Sequence, residues 1–160
     1  MERKIILLPV AVDDFELLID WADSAYELQQ FSGSVFTYPL TKPQLVDNLS
    51  DVRRTAFMVF DLALGQKVGY AEMYKIDKRT LKFARLIIGA NYRSKGYGSA
   101  MVNALLAVAF VKLKAREIQL RVYEQNTAAL SCYEKNGFVR TSEFVTCEGC
   151  DGKEWTSVGM

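Results

Sequence analysis

One segment of this sequence limits the fold more than any other: an apolar run passes through a glycine-bearing loop into a long amphipathic stretch. Leu81–Ile88 is predicted as a strand, the loop carries Gly96 and Gly98, and Tyr97–Lys114 is predicted as a helix with one apolar face. Glycines let a ligand approach the backbone closely, and free N–H groups at a helix start favour an anion. The segment therefore predicts a layered domain with an anion site at the start of this helix.

The charge distribution supports such a local anion site. The formal net charge is only +1, but residues 81–116 carry no acidic side chain and seven basic ones: Lys82, Arg85, Arg93, Lys95, Lys112, Lys114 and Arg116. A nucleic-acid or membrane surface usually needs a basic domain, so neither partner is expected. A solvated basic helix face would explain the same charges without any ligand.

Periodicity along the whole chain predicts the order β-α-α-β-β-β-α-β-α-β-β. Predicted strands lie at 5–10, 55–64, 67–76, 81–88, 117–123, 138–145 and 153–160, and predicted helices start near Asp13, Thr41, Tyr97 and Thr127. Residues 24–42 are predicted to be irregular, because Gly33 and Pro39 interrupt them. The fold class is therefore α/β (α+β), with a mixed, largely antiparallel twisted sheet of about seven strands flanked by helices. Without repeats or linkers, residues 1–160 are expected to form a single domain.

Composition excludes several kinds of chemistry. The chain has no histidine, which excludes a Ser-His-Asp triad, an HExxH zinc site and an imidazole proton shuttle. Its three cysteines, of which Cys147 and Cys150 form a CxxC pair, are too few for a tetrahedral zinc site and odd in number for a disulfide framework. No metal is therefore expected. The apolar run near the N-terminus is too short for a signal or a membrane span, so a cytoplasmic location is expected.

The spacing of the loop residues distinguishes between known phosphate-binding motifs. A Walker loop would need glycine at Ser94, and a dinucleotide fingerprint would need glycine at Met101, so both fail. Arg93-x-x-Gly96-x-Gly98 instead resembles the motif with which the GNAT superfamily of N-acetyltransferases binds the pyrophosphate of acetyl-CoA. A plain glycine-rich turn between strand and helix is the alternative interpretation of the motif taken alone.

A second segment strengthens this resemblance. Residues 126–138 run from Asn126 through Ala129 to Tyr133, Gly137 and Phe138, and they look like the second signature of the superfamily. Asn126 and Tyr133 are seven residues apart, so two helical turns put them on one face. Asn126 and Gly137 are also typical caps of an ordinary helix. The resemblance covers residues 55–160 well and residues 1–54 loosely, the latter being similar to the branch of ribosomal-protein and small-amine acetyltransferases.

The resemblance implies the GNAT fold, with acetyl-CoA as acyl donor, residues 55–160 as the acetyl-CoA-binding core and residues 1–54 on the acceptor side. It implies that the strand before the loop splays from residues 117–123 and offers a backbone N–H, at Ile87 or Ile88, to the acetyl carbonyl as an oxyanion hole. The residues implied in acetyl-CoA binding are Leu86, Ile87, Ile88, Arg93, Ser94, Lys95, Gly96, Tyr97, Gly98, Ser99 and Asn126.

The catalytic residues are implied less completely. Tyr133 matches the tyrosine that many members use as general acid toward the departing thiolate. The base has no match, because the strand 81–86 lacks the acid that many relatives carry there. Glu72 is the first candidate for that base, and Glu124 or a chain of waters are alternatives. Phe31 and Tyr38 are candidates to line the acceptor slot or, equally, to be core aromatics.

The predicted function is transfer of an acetyl group from acetyl-CoA to a primary amine by direct attack in a ternary complex. Cys132 lacks a histidine to activate it, which disfavours a covalent acyl-enzyme. The acceptor is left open between a protein or peptide amino terminus, a polyamine and another small amine; the net charge of −5 over residues 1–50 favours a cationic one. The alternative is a non-catalytic acyl-CoA-binding or regulatory module, with a nucleic-acid binder ranked last. A homodimer is allowed by the sequence.

Overall fold

A computed structural model describes residues 2–160 of the chain, in eight strands, five α-helices and short 3₁₀ turns. The elements are β1 (Ile5–Pro9), α1 (Phe15–Trp21), α2 (Ala25–Ser32), α3 (Lys42–Leu49), β2 (Arg54–Asp61), β3 (Gln66–Lys75), β4 (Thr80–Ile88), α4 (Tyr97–Ala107), β5 (Glu117–Gln119), β6 (Arg121–Tyr123), α5 (Thr127–Lys135), β7 (Phe144–Glu148) and β8 (Glu154–Gly159).

The strands form two sheets. The first has the order β1-β2-β3-β4-β5 and is antiparallel except for the parallel pair β4 and β5. The second has the order β6-β8-β7 and is antiparallel throughout. The predicted fold class, a mixed and largely antiparallel sheet flanked by helices, is thereby confirmed, with eight strands instead of about seven.

The two sheets diverge at Leu120, which belongs to neither. Pairing of β4 with β5 ends at Lys82 and Gln119. The next residue, Leu120, exchanges both backbone hydrogen bonds with Met160, at 3.0 and 2.9 Å, and so directs the chain into the second sheet. The strand predicted as continuous over 117–123 is therefore two short strands. Beyond Lys82, β4 has no strand partner on this side, and a gap opens between it and β6.

Helices cover both faces of the first sheet. One buried cluster packs the sheet against α4 and α5, with Phe83, Met101 and Leu105 near its centre. The other packs the sheet against α1, α2 and α3, with Leu18 and Tyr70 fully buried. β4 contributes Phe83 to the first cluster and Ile87 to the second. Residues four apart share a face in a regular strand, so the register shift of β4 between them reverses the alternation.

The prediction that residues 24–42 are irregular is wrong for their first part, which forms α2. Ser24 caps this helix, since its side chain accepts a hydrogen bond from the Glu27 N–H at 3.0 Å. Leu28 and Phe31 then face the core and are buried.

Two predicted boundaries are also corrected. The strand predicted from Phe138 begins only at Phe144, because the preceding chain meets β8 through isolated bonds at Thr141 and Glu143 instead of a regular ladder. The helix predicted through Lys114 is α-helical only to Ala107 and continues as a π-helical turn over Val108–Lys112. Within residues 2–160, no helix is long and apolar enough to cross a membrane.

Candidate active site

The end of β4 lies open beside the gap between the sheets. The N–H of Gly89 donates to the Val68 carbonyl of β3 at 3.0 Å, and successive N–H groups point to alternate sides of a strand. The N–H and carbonyl of Ile88 therefore point away from β3, toward the gap. Of the two residues predicted to offer a backbone donor there, Ile88 has the suitable orientation and Ile87 has the opposite one.

A bulge in β4 precedes this end. Tyr70 of β3 pairs with Ile87 and Glu72 pairs with Ala84, so two residues of β4 face one of β3. Arg85 lies in the bulge with φ of 50°, a left-handed conformation that is unfavourable for a residue with a Cβ. A bulge of this kind bends the strand and redirects a side chain. It turns Arg85 toward the α1–α3 face, where its guanidinium lies 5.8 Å from the Phe36 ring centroid.

The loop after β4 is held in place by Arg93. Its Nε donates to the Ile88 carbonyl at 3.0 Å, and its terminal nitrogens donate to the Glu27 carboxylate of α2 at 3.2 and 2.9 Å. Trp21 of α1 packs on the start of the same loop, at Gly89, where an added Cβ would lie 2.6 Å from its indole nitrogen. The loop is thus tied to two helices of the opposite layer.

The start of α4 presents unused backbone donors. The first hydrogen bond of the helix runs from the Ala100 N–H to the Gly96 carbonyl, at 3.1 Å, so the N–H groups of residues 97–99 have no carbonyl partner within it. Ser94 and Gly96 have φ of 58° and 86°, which turns the chain sharply before the helix. Lys95 is exposed, and its ammonium donates to the Asn91 carbonyl at 2.7 Å. These donors and charges fit an anionic group such as a pyrophosphate.

Two of the predicted loop residues face inward. The Tyr97 side chain is buried, and its hydroxyl donates to Asp61 at 2.6 Å, so only its backbone is open to the loop. Ser99 shares hydrogen bonds with the amide of Asn136, the residue that follows α5, and the shorter of them is 3.0 Å. These contacts fix the start of α4 against the sheet and against α5.

The start of α5 lies next to β6. The Asn126 side-chain oxygen accepts from the Ala129 N–H at 3.2 Å and caps the helix, and no described residue accepts a hydrogen bond from its amide nitrogen. Cys132 faces α4, 3.6 Å from the position a Cβ would take at Gly98. The two helices that begin at the gap are therefore in close contact.

Tyr133 is partly buried and has a free hydroxyl. Its ring packs edge to face on Phe138, with centroids 6.0 Å apart, and no residue in the described part of the chain hydrogen-bonds to its hydroxyl. Burial, and then the neighbouring Cys132, raise the pKa of Tyr133, so the phenol keeps its proton at neutral pH. Burial also raises the pKa of the Cys132 thiol and opposes a thiolate there.

Glu72 lies in the core of a buried charge cluster. Its carboxylate is fully buried and accepts from Arg54 at 2.7 Å, Arg85 at 3.0 Å, Asn48 at 2.9 Å and the Tyr70 hydroxyl at 2.7 Å. Burial and the Glu72 charge together raise the pKa of Tyr70 far above its ordinary value. These four donors occupy both carboxylate oxygens, and the side chain has no contact with solvent. The role of Glu72 as base stays a prediction, and these surroundings argue against it.

The other candidate positions are separated from one another. Glu124 is exposed and lines an acidic surface groove on the second sheet together with Glu143 and Glu154. Phe31 is buried in the α1–α3 core, 6.0 Å from the Tyr70 ring. Tyr38 is 47% exposed, and its hydroxyl donates to the Asp23 carbonyl at 3.0 Å.

Sequence reasoning missed the residues that tie these parts together. Arg54 was not singled out, Arg85 was only counted among the basic residues, and Glu27 lay in a segment predicted to be irregular. Ser24 and Glu27 have the spacing of a capping box, and this signal could have located α2. No local pattern marks a bulge at Arg85. Cys147 and Cys150 are free thiols, and within residues 2–160 no cluster of three or more acidic or cysteine side chains could hold a metal.

A mixed sheet that opens beside a backbone anion cradle defines the class of acyl-CoA-dependent acyltransferases. Residues 16–138 match the acetyltransferase (GNAT) family, so the chain belongs to this family. It is an N-acetyltransferase that uses acetyl-CoA to acetylate an amine.

Known relatives share this chemistry and act on different amines. The chain is 24% identical over 151 residues to the aminoglycoside N(6')-acetyltransferase type 1 of Klebsiella pneumoniae, covering 85% of this chain and 74% of that protein. It is 29% identical over 100 residues to the spermidine N(1)-acetyltransferase of Vibrio cholerae, covering 61% and 57% respectively.

Solved structures share the fold. The Vibrio cholerae spermidine N-acetyltransferase in complex with CoA and spermine superposes with a TM-score of 0.78 at 21% identity, covering 98% of this chain and 94% of that one. A putative phosphinothricin N-acetyltransferase superposes with a TM-score of 0.79 at 19% identity, covering 98% and 96%.

Proposed function

We propose that the acetyl group passes directly from acetyl-CoA to the acceptor amine while both are bound in the gap between β4 and β6. The observation that carries this proposal is the set of free backbone donors at the start of α4, beside the open end of β4. Bound acetyl-CoA supplies an activated thioester. The raised pKa of Cys132 supports attack by the amine itself instead of by a cysteine thiolate.

The chain holds the donor chiefly through its backbone. The N–H groups from Ser94 to Ser99 bind the pyrophosphate, with the N-terminal end of the α4 dipole behind them. The exposed Lys95 adds positive charge, whereas Arg93 acts by holding the loop, because Glu27 and the Ile88 carbonyl already occupy its guanidinium. The amide of Asn126 reaches the pantetheine arm. The apolar side chains of Leu86, Ile87 and Ile88 support the β4 edge.

Two groups act on the reacting atoms. The Ile88 N–H donates to the thioester oxygen, which gains negative charge during attack; such a donor is worth several kcal/mol, about 3–4 in measured cases. The Tyr133 hydroxyl donates a proton to the departing thiolate. We assign removal of the amine proton to a water molecule, because the four donors around Glu72 hold its carboxylate and Glu124 lies in the surface groove.

The acceptor class, the cellular location and the oligomeric state are also proposals. Spermidine and aminoglycoside acetyltransferases among the relatives support a small amine as acceptor. A cytoplasmic location remains a prediction, as does a homodimer; a Vibrio cholerae spermidine N-acetyltransferase is described as dodecameric.

The proposal is tested by thiol release from acetyl-CoA across a panel of amines. Tyr133→Phe should lower kcat by about tenfold or more, at the low end of general-acid effects, and leave CoA affinity almost unchanged. Tyr26→Phe, at an exposed position on α2, is the matched control. Because the pKa of Tyr133 is raised, kcat of the unmodified enzyme should not fall through loss of this proton below pH about 10.

The outcomes separate the alternatives. Equal losses of CoA affinity and kcat in Tyr133→Phe would assign the tyrosine a packing role. CoA binding without acetylation of any amine would support the non-catalytic acyl-CoA module instead.

A further inference from the structure

The buried cluster around Glu72 has more positive charge than it can neutralise. Arg54 and Arg85 both bond to the same carboxylate oxygen, and their side chains are only 12% and 9% exposed. Two guanidinium groups and one carboxylate leave a charge of +1. An uncompensated charge away from water is costly, and buried charges are therefore usually paired.

One donor of this cluster has no partner. The Nε of Arg85 is buried, and within the described residues no acceptor lies in hydrogen-bonding range. Buried polar groups are nearly always satisfied, so an orphaned guanidinium N–H indicates a missing acceptor. The bulge that places Arg85 here also holds it at φ of 50°. Strained positions of this kind concentrate at functional sites.

Further cations surround the same place. Lys82, three residues before Arg85 on β4, is half-buried, and the charges of Arg54, Arg85 and Arg121 reach it. Burial and these charges lower its pKa, and it has no ion pair among residues 2–160. Lys82 is also the last residue of β4 that pairs with β5, so it stands where the gap begins. Positive charge is therefore concentrated on the α1–α3 face of β4, from Lys82 at the start of the gap to Arg85 in the bulge.

We propose that these cations bind a carboxylate of the acceptor, so that the substrate is an amine that also bears a carboxylate, such as an amino acid or a short peptide. This inference rests on the proposed function and specifies its acceptor. A carboxylate takes the Arg85 Nε–H and balances the excess charge, since guanidinium and carboxylate form strong charge-assisted hydrogen bonds. Arg85 and Ile88 are three residues apart on β4, somewhat less than about 10 Å because the bulge shortens this part of the strand, a span that a small acceptor can bridge.

The acceptor chemistry predicted from the first 50 residues is the opposite. Their net charge of −5 favours a cationic acceptor. The side chains at the gap outweigh that bulk charge, because Coulomb interactions between partly buried groups are screened less than those of exposed acids.

The test compares lysine, lysine amide and cadaverine, which present similar amines and differ in the carboxylate. We expect kcat/KM for lysine to exceed that for cadaverine by at least about tenfold, a value in keeping with one charge-assisted hydrogen bond. Arg85→Met should reduce this ratio toward one, and Lys82→Met, the second variant, should reduce it as well. Arg116→Met, at an exposed position outside the cluster, should leave the ratio unchanged. Circular dichroism confirms that each variant is folded.

Other outcomes would overturn the inference. Equal or better turnover of cadaverine would do so, as would a ratio that survives in both Arg85→Met and Lys82→Met. If none of the three amines is acetylated, the proposed function fails for this class, and calorimetric titration with lysine then decides the inference separately. Lysine binding that disappears in Arg85→Met supports the carboxylate site, and absence of lysine binding to the unmodified protein refutes it.

Discussion

The two sides of the gap present different chemical groups: backbone N–H groups on one side and charged side chains on the other. On the α4 side, the proposed acetyl-CoA site consists of backbone N–H groups at a helix start, with side chains such as Arg93 holding the loop. On the α1–α3 side, the proposed acceptor site consists of side chains, with Arg54 and Arg85 around Glu72 and Lys82 beside them. The first can be recognised from a short motif, whereas the second depends on the register of three strands.

This difference teaches where each site is vulnerable. A backbone cradle tolerates changes of side chain but depends on the conformations that glycine permits. A buried charge cluster tolerates little, because removal of one partner leaves the others unpaired. Variants on the two sides should therefore fail in different measurements.

The largest expected effect is on the α1–α3 side of the gap. Glu72→Gln leaves Arg54 and Arg85 without a counter-charge and should lower the free energy of unfolding by about 3–5 kcal/mol. Urea denaturation measures this loss. The matched control is Glu134→Gln, whose carboxylate pairs with Arg140 at 2.8 Å and is 46% exposed. That loss should stay below about 1 kcal/mol, and equal losses in the two variants would show that the cluster is not a stabilising unit.

An intermediate effect on stability is expected on the α4 side of the gap. Gly96 and Gly137 have φ of 86° and 94°, and a Cβ at either would meet no backbone within 4 Å. Alanine at each should cost about 1–2 kcal/mol of stability, from the left-handed conformation alone. Only Gly96→Ala should also weaken CoA binding, measured by calorimetry, because Gly96 shapes the cradle. An equal loss of CoA affinity in Gly137→Ala would show that Gly96 has no specific role in CoA binding.

The smallest effect should be a gain in stability. The folded-state pKa of Lys82 lies below the ordinary value of 10.5, so its charged form is disfavoured by folding. Lys82→Met should therefore raise the free energy of unfolding at pH 7, by less than about 1 kcal/mol after solvent screening.

The pH dependence of this gain has a defined sign. Below the folded-state pKa both states of the protein are charged, and the native state carries the full cost. Above pH 10.5 both are neutral and the cost is absent, so the advantage of Lys82→Met should vanish as the pH rises through this window. An advantage that grows with pH would contradict the assignment.

Much of the fold was predictable where local pattern and packing agree. The hairpin of β2 and β3, the strand β4 and the helix α5 follow from periodicity and from turn or cap residues. The break between β5 and β6 at Leu120 could not be predicted, because the hydrogen bonds of Leu120 go to Met160, 40 positions away in the sequence. α2 was missed because aromatic residues and Gly33 obscured its capping box.

The candidate site divides in the same manner. The loop 93–99 was singled out from glycine spacing, because the binding proposed for it uses consecutive backbone groups. Glu72 was a candidate base because the strand 81–86 has no acid, and the alternation of side chains along a strand predicts the face of a residue but not its partners. The partners Arg54 and Arg85 come from two other strands, and the bulge that turns Arg85 has no local sequence signal.

The helix α2 contacts both sides of the opening between the two sheets. Glu27 bonds to Arg93 on the loop after β4, while the Gln29 amide bonds to the Glu148 carbonyl and the Cys150 N–H of the β7–β8 turn, at 3.1 and 2.7 Å. Tyr26 adds an edge-to-face contact with Trp155. Because this short helix bridges the loop after β4 and the β7–β8 turn, its length and rigidity set the width of the opening between the two sheets. Substitutions at its solvent-facing positions that change helix propensity should therefore change this width without contacting either strand.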